Sequence, residues 1–583
     1  MKLSGGAIVV QALADEGIRL AFGIPGTHNI ELYDAFGDSG PVHPVLVTDE
    51  QSAGFMADGL WRASGQMGCV NIVPGAGLTH ALSGIAEAFM DCVPMLVLGC
   101  GIRRRTTQAY QLHDVDQLAI AAPVVKATFR PESGAELYRI VREACALARS
   151  GTPGPVMVEV SIDLYLTTHE VDPGAWVAPA PPPVPTATRE QIARAATLLS
   201  SHGVKPLLYA GLGAQGATAE LLALAERLEA PVATTIQGKG VFPESHPLFL
   251  WNGFGAAAPP FARELARERD VTLAIGCRFS EVGTGSYGVT PPGPLIHVDI
   301  NREVLNRNFP AEIGIAADAR GFLVELLNEL SGQYTVRAVV PPDPELRRRI
   351  REGHEQVRRE WIERRSADRV TPFVLLEALQ QEFGPDTVFT ADSGNGTFLA
   401  MECLRLEGPG RFLAPVDYSC MGYSVPAAIG AGLGKPGTPV IALAGDGAFL
   451  MTGLELLTAA SQQVPIGVFV LRDRELAQIA QFQSTAFNRT VASRLPDYHL
   501  GSLAEAVGVE WLSLESDADV VEVVRAARAT MRAGRPVLVD VAIDYSNKTW
   551  FTRGVVQTML HRLPWPERIR FVTRALVRRI GGS

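Results

Sequence analysis

The sequence predicts an α/β protein built from three doubly wound parallel-sheet domains. Three observations lead there. Short apolar strands alternate with helical stretches along most of the chain, the pattern of parallel sheets covered by helices on both faces. Two shifts in composition divide that alternation into three blocks. The length, 583 residues, suits three or four domains at roughly 100–200 residues each.

The first block, residues 1–170, opens on an amphipathic helix for which Ser4 is the expected N-cap. Its apolar strands are expected over 68–73, 95–98 and 156–160. The proline-rich stretch 172–183 cannot pair as a central strand and reads as a semi-rigid linker. The second block, 188–335, has strands at 206–210 and 271–275. An arginine-rich run over 347–365 reads as a solvated connecting helix. The third block, 371–545, has strands at 387–390, 440–444 and 467–471. The tail, 546–583, carries Trp550, Phe551, Trp565 and several arginines; it reads as a surface arm or as a flap over a site.

Composition narrows the function. The chain is 47% hydrophobic and 20% charged, ordinary for a globular protein in water. A formal net charge of −10 argues against nucleic acid or an anionic membrane as partner. No run of 18 apolar residues escapes interruption by charge, so no membrane span is expected. The first residues lack the basic segment and unbroken apolar core of a secretion signal. The seven cysteines are scattered, with no C-x-x-C pair. That pattern predicts reduced core thiols in a cytoplasmic protein and no zinc site.

The most informative segment is Gly445-Asp446-Gly447-Ala448-Phe449. It follows one apolar strand, precedes a helical stretch, and is followed by a second strand that runs into Arg472-Asp473-Arg474-Glu475. In a β-α-β unit the carboxyl ends of both strands lie on one edge, where ligands bind. Asp446 and Asp473 are therefore expected side by side. Paired carboxylates suit Mg²⁺, a hard cation that shares oxygen ligands with a phosphate. Gly445 and Gly447 allow close backbone approach, and N–H groups at the helix start, Ala448 among them, favour an anion. A lone Gly-Asp-Gly also occurs in ordinary turns; the strand–helix–strand frame is what lifts it.

This arrangement resembles the thiamine-diphosphate enzymes of the acetolactate synthase-like group, whose motif pairs GDG with a downstream Asn. The resemblance implies thiamine diphosphate and Mg²⁺ as cofactors, Asp446 and Asp473 as metal ligands, and the Glu475 position as a third ligand through its carbonyl. One departure stands out: Arg472-Asp473 occupies the place of the usual Asn-Asn, which adds negative charge beside the diphosphate. Val45-Leu46-Val47-Thr48-Asp49-Glu50 resembles the family's strand-to-glutamate segment. Thiamine diphosphate reacts after loss of its C2 proton, and the resemblance assigns Glu50 to promote that loss through the aminopyrimidine ring. Read alone, a Glu after a strand is more often a helix-start charge. Pro74-Gly75-Ala76-Gly77 resembles the family's next loop. Ser419-Cys420-Met421-Gly422 resembles the segment that props the cofactor, with Met421 as the apolar support. Ordinary core packing is the alternative for Met421.

Two histidines mark the substrate side. His28 falls where benzaldehyde lyase-like relatives carry a substrate-facing His, and His113 lies near a position occupied by Gln in acetolactate synthases. Either could shuttle protons near neutral pH or serve as a hydrogen-bonded structural residue. Gln478, Ile479 and Phe482 follow the metal loop and are candidates for pocket lining. In the second block, Gly211-Leu212-Gly213 and Gly276-Cys277-Arg278-Phe279 each follow a strand, a weak nucleotide signal. Ser280-Glu281-Val282 replaces the segment typical of FAD-binding relatives. The block is therefore read as structural, and FAD is not favoured.

The reading is a lyase or transferase that decarboxylates a 2-oxo acid and joins it to a second carbonyl compound, as a homodimer or homotetramer. Alternatives are cleavage of an α-hydroxyketone or 2-hydroxyacyl thioester, or a non-catalytic subunit that binds the cofactor.

Overall fold

The computed structural model describes residues 1–37, 40–180, 182–332 and 340–580. Pro181 of the linker, the end of the second block at 333–335 and the last three residues of the tail lie outside the described residues.

Three six-stranded parallel sheets form the frame. The first contains β1 (Leu20–Gly23), β2 (His43–Leu46), β3 (Cys69–Ile72), β4 (Met95–Gly101), β5 (Thr128–Phe129) and β6 (Pro155–Ser161), in the order β2-β1-β3-β4-β6-β5. The second contains β7 (Pro206–Ala210), β8 (Val232–Thr234), β9 (Phe249–Asn252), β10 (Val271–Ile275), β11 (Leu295–Asp299) and β12 (Ile313–Ala316), in the order β9-β8-β7-β10-β11-β12. The third contains β13 (Val388–Ala391), β14 (Phe412–Leu413), β15 (Val440–Gly445), β16 (Ile466–Arg472), β17 (Glu510–Leu514) and β18 (Val537–Ala542), in the order β14-β13-β15-β16-β18-β17. The first and third sheets thus share one strand order. All three carry the reversal of order at which open α/β sheets bind ligands: β1/β3, β7/β10 and β13/β15. Central strands such as Met95–Gly101 and Pro155–Ser161 are buried along their whole length, as expected of sheets covered on both faces.

Ser4 caps the first helix, its hydroxyl accepting from the Ala7 N–H. A short antiparallel pair, Lys2–Ser4 with Thr168–Glu170, ties the two ends of the first block together. In the linker, Trp176 stacks on Tyr138 with ring centroids 4.3 Å apart. The arginine-rich connector forms the helix Pro344–Glu363, but it is not solvated all round: Leu346, Ile350, Val357 and Trp361 are buried. Those residues recur at helical spacing and form one apolar stripe, while the arginines cover the other face. The tail forms helices Trp550–Arg562 and Trp565–Ile580, anchored by buried Phe551 stacked on Phe398 at 4.4 Å.

Five further helices position the chemistry: α1 (Glu50–Ser64), α2 (Ala76–Met90), α3 (Ser424–Gly434), α4 (Asp446–Thr452) and α5 (Ala477–Phe487). Helices α1 and α3 cross in intimate contact and join the first block to the third. One apolar core runs through both, containing Phe55, Met56 and Leu60 with Tyr423, Ala427 and Ile429. The cysteines are free, and five of the seven are buried. No helix among the described residues is long and apolar enough to cross a membrane.

Candidate active site

Strands β15 and β16 lie side by side with Gly445 in register with Leu471, so the residues that follow each strand meet at one edge. Asp446 opens α4 and is buried. Its Oδ1 accepts from the Gly447 N–H at 2.8 Å and its Oδ2 from the Arg474 N–H at 2.7 Å. Asp473 accepts from the Glu475 N–H at 3.2 Å. Burial, reinforced by the neighbouring Asp446 carboxylate, pushes the Asp473 carboxyl up to about 7; burial also raises Asp446. Arg472 lies near enough to favour the charged form of Asp446, but its guanidinium is bonded to Asp540, at 2.8 and 2.5 Å. Glu475 faces Arg494 at 3.5 Å.

Both carboxylates open onto a cavity of about 120 Å³. It is also lined by Asp392, Gly445, Met421 and Gln478. A Cβ built on Gly445 would meet nothing within 4 Å, whereas one on Gly447 would sit 2.5 Å from the Leu476 side chain. Gly445 therefore leaves free volume at the carboxylates, and Gly447 is required by packing. A buried and a half-buried acid, neither in a salt bridge among the described residues and both facing an open volume, fit a hard divalent cation with oxygen ligands and the phosphate it would share. Of the three residues expected beyond the metal loop, Gln478 and Ile479 line this cavity and Phe482 does not.

Asp392 at the end of β13 was not anticipated. Its carboxylate accepts from the N–H groups of Gly422 and Ser424 at 2.8 and 3.0 Å and from the Ser424 hydroxyl at 2.8 Å. It thereby fixes the loop that projects Met421 into the cavity. Ser419, with φ of +66°, shares a hydrogen bond with Ser393 at 2.8 Å. The readable signal was a carboxylate at a strand end before a glycine-rich turn, Asp392-Ser393-Gly394-Asn395-Gly396.

The second half of the site sits at the matching edge of the first sheet. Glu50 is the first residue of α1, 8% exposed, behind the Asp49 N-cap. Gly77 of α2 lies against it: a Cβ there would be 3.5 Å from Glu50 Oε1. Pro74 is buried, and Gly75 has φ of +63°, with its would-be Cβ 3.4 Å from the Cβ of His113. The rings of His28 and His113 meet edge to face with centroids 5.4 Å apart. Burial, then the neighbouring His113 and Arg103, holds the His28 imidazole below its ordinary range. The structure thus gathers Glu50, Pro74, Gly75, His28 and His113 at one edge, and Asp446, Asp473, Met421 and Gly445 at another. No residue of the first block lines the cavity at Asp446 among the described residues.

A larger cavity, about 340 Å³, lies at the β7/β10 edge of the second sheet. Gly211, Gly213, Gly276, Asp299 and Asn301 line it together with Arg278. The last is held by Asp417 at 2.5 Å and by the Met90 carbonyl.

Comparison with known proteins agrees with this layout. Residues 3–120 match the thiamine pyrophosphate enzyme N-terminal TPP binding domain, 192–326 the central domain, and 392–541 the C-terminal TPP binding domain. The chain is 31% identical to acetolactate synthase of Mycobacterium bovis, over 94% of this chain and 89% of that protein. It is 30% identical to the acetolactate synthase isozyme 3 large subunit of Escherichia coli, over 94% and 96%. It is also 30% identical to the acetolactate synthase large subunit of Corynebacterium glutamicum, over 94% and 88%. Similarity that spans all three sheets and both carboxylate-bearing edges places the chain in one family: it belongs to the thiamine pyrophosphate enzymes, among those similar to acetolactate synthases.

Proposed function

We propose that this protein uses thiamine diphosphate and Mg²⁺ to decarboxylate a 2-oxo acid and to join the remaining acyl unit to a second carbonyl compound. The observation that carries the reading is the pairing of buried Asp446 with half-buried Asp473 at the edge of the third sheet, open to a cavity and, among the described residues, in no salt bridge. Thiamine diphosphate supplies the carbon nucleophile and electron sink that such chemistry needs.

In this reading Asp446 and Asp473, with the Glu475 carbonyl, hold the metal. Gly445 leaves room for the diphosphate, and Met421, fixed from behind by Asp392, supports the rings. Glu50 holds a proton at the aminopyrimidine and returns it. His28 and His113 face the substrate, where a neutral imidazole can take or give a proton at the reacting oxygen.

The site is proposed to form between two copies of the chain, in a homodimer or a dimer of dimers. Support comes from a bare apolar stripe beside both halves. Leu450, Met451, Leu454 and Leu457 are 44–58% exposed. Leu46, at the end of β2, continues the stripe, its carbonyl accepting from the Thr458 hydroxyl at 3.3 Å. Contiguous exposed apolar surface of this kind marks association sites.

The reading does not favour FAD. Arg278, one of two arginines lining the second-sheet cavity, is engaged by Asp417, and Ser280-Glu281-Val282 follows Phe279. A second reading, cleavage of an α-hydroxyketone, is favoured by the paired His28 and His113, which suit deprotonation of a substrate hydroxyl. Product analysis decides between them. The enzyme is incubated with a panel of 2-oxo acids, aldehydes and α-hydroxyketones, with and without the two cofactors. Cofactor-dependent CO₂ release with a new C–C bond supports the first reading. Aldehyde release from hydroxyketones alone supports the second.

A further inference from the structure

We propose that His80 is a positioning residue for Glu50, fixing the orientation of its carboxylate. The proposal rests on the reading of Glu50 as the carboxylate that promotes C2 deprotonation. It starts from the surroundings of that side chain. Glu50 is 11% exposed in its side chain, yet among the described residues its carboxylate has one polar partner, Nδ1 of His80, 3.3 Å from Oε2. His80 stands on the first turns of α2 with 63% of its side chain exposed.

Geometry separates this contact from ordinary packing. Helices α1 and α2 are docked by their backbones. A Cβ on Gly84 would lie 2.6 Å from the Gln51 carbonyl oxygen, and one on Gly54 would lie 2.7 Å from Gly84 Cα. The helix pair is thus held without the His80 ring, which projects to the surface. The other charged groups near Glu50 are already committed or carry the wrong sign. Asp49 has an oxygen within 4.8 Å of the same cluster, and its carboxylate caps α1 by accepting from the Gln51 N–H at 2.9 Å. Glu455, from the third block, accepts from the Thr48 N–H and hydroxyl and from the Asp49 N–H. Tyr33, from the helix Ile30–Phe36, is itself pushed above its usual range, chiefly by burial. Asp49 and Tyr33 lie close to Glu50, and His80 is the one polar side chain among the described residues in contact with its carboxylate. An Nδ1–H of His80 donating to Oε2 fixes the direction in which the carboxylate points.

The test is C2–H/D exchange of thiamine diphosphate on the reconstituted holoenzyme, followed across pH in wild type, Glu50→Gln, His80→Ala and His80→Gln. Melting curves establish that the variants fold. The expected results are loss of exchange in Glu50→Gln, and in His80→Ala an exchange about tenfold slower at neutral pH. His80→Gln, which keeps an N–H donor but not the charge, should recover most of the rate. A wild-type rate in His80→Ala, or a His80→Gln rate as slow as that of His80→Ala, with Glu50→Gln inactive, would overturn the role of His80 and leave Glu50 standing. Wild-type exchange in Glu50→Gln would overturn both.

Discussion

Gly59 of α1 rests directly on the backbone carbonyl of Ala427 in α3: a Cβ at Gly59 would lie 2.1 Å from that oxygen. The contact is reciprocal, since a Cβ at Gly430 would lie 1.9 Å from the Met56 carbonyl oxygen. This crossing locks the sheet that carries Glu50 to the sheet that carries Asp446. Gly59→Ala should therefore lower stability by about 1–3 kcal/mol, the usual cost of overpacking, read as a fall in melting temperature. Gly332→Ala, whose Cβ would meet nothing within 4 Å, should leave it unchanged.

Asp446→Ala should weaken Mg²⁺ and thiamine diphosphate together, because the metal links the protein to the diphosphate. Removing the carboxylate also frees the Arg474 N–H that it holds at 2.7 Å, which loosens the loop carrying Asp473. Calorimetric titration of each cofactor in the presence of the other checks this. Cofactor affinity unchanged from wild type would contradict the metal assignment.

Asp473 predicts a pH dependence. Its carboxyl in the folded, metal-free chain is raised to about 7, so a cation must displace a proton below that pH. Mg²⁺ affinity should fall by up to about tenfold per pH unit below 7 and level off above it. The stability of the metal-free protein should run the other way. A folded pKa above the unfolded value means that the folded state holds the proton more tightly. The contribution is full below the ordinary carboxylate range and is lost as pH rises through about 7. Asp473→Asn should flatten both trends while keeping an oxygen ligand. Titrations between pH 5.5 and 8.5, roughly the span over which such a group changes state, would test it.

Denaturing the purified protein and examining the released small molecules tests the second block. The reading predicts thiamine diphosphate without flavin absorbance. Stoichiometric flavin would assign the cavity at Gly211 and Gly276 to FAD instead.

Much of the site was legible because its signals are local. Strand, Gly445-Asp446-Gly447, helix, strand and Asp473 form one continuous β-α-β unit, and the topology of such a unit dictates which ends meet. Glu50 followed the same logic at the end of a strand. Asp392 was not legible in that way. Its hydrogen bonds to Gly422 and Ser424 depend on how the loop before α3 folds back over the end of β13, which no motif in the sequence fixes. His80 was hidden for a related reason: α1 and α2 leave different strands and meet only because both start at one sheet edge. The arginine-rich helix Pro344–Glu363 was misjudged on composition, although Leu346, Ile350, Val357 and Trp361 already showed the spacing of a buried face. The cavity at the second-block glycines was not legible because it depends on close approach between chain segments. A Cβ at Gly211 would lie 2.2 Å from the Gly276 carbonyl oxygen, and no linear pattern shows that.

The central claim is that one cofactor is served by Glu50 and Asp446 from two different chains. Its most direct test mixes inactive Glu50→Gln and Asp446→Ala proteins under conditions that exchange subunits, then measures 2-oxo acid decarboxylation. The account predicts that activity returns, because one site of each mixed dimer receives both wild-type residues. A mixture that exchanges subunits yet stays inactive, or a fully active monomer by sedimentation, would contradict it.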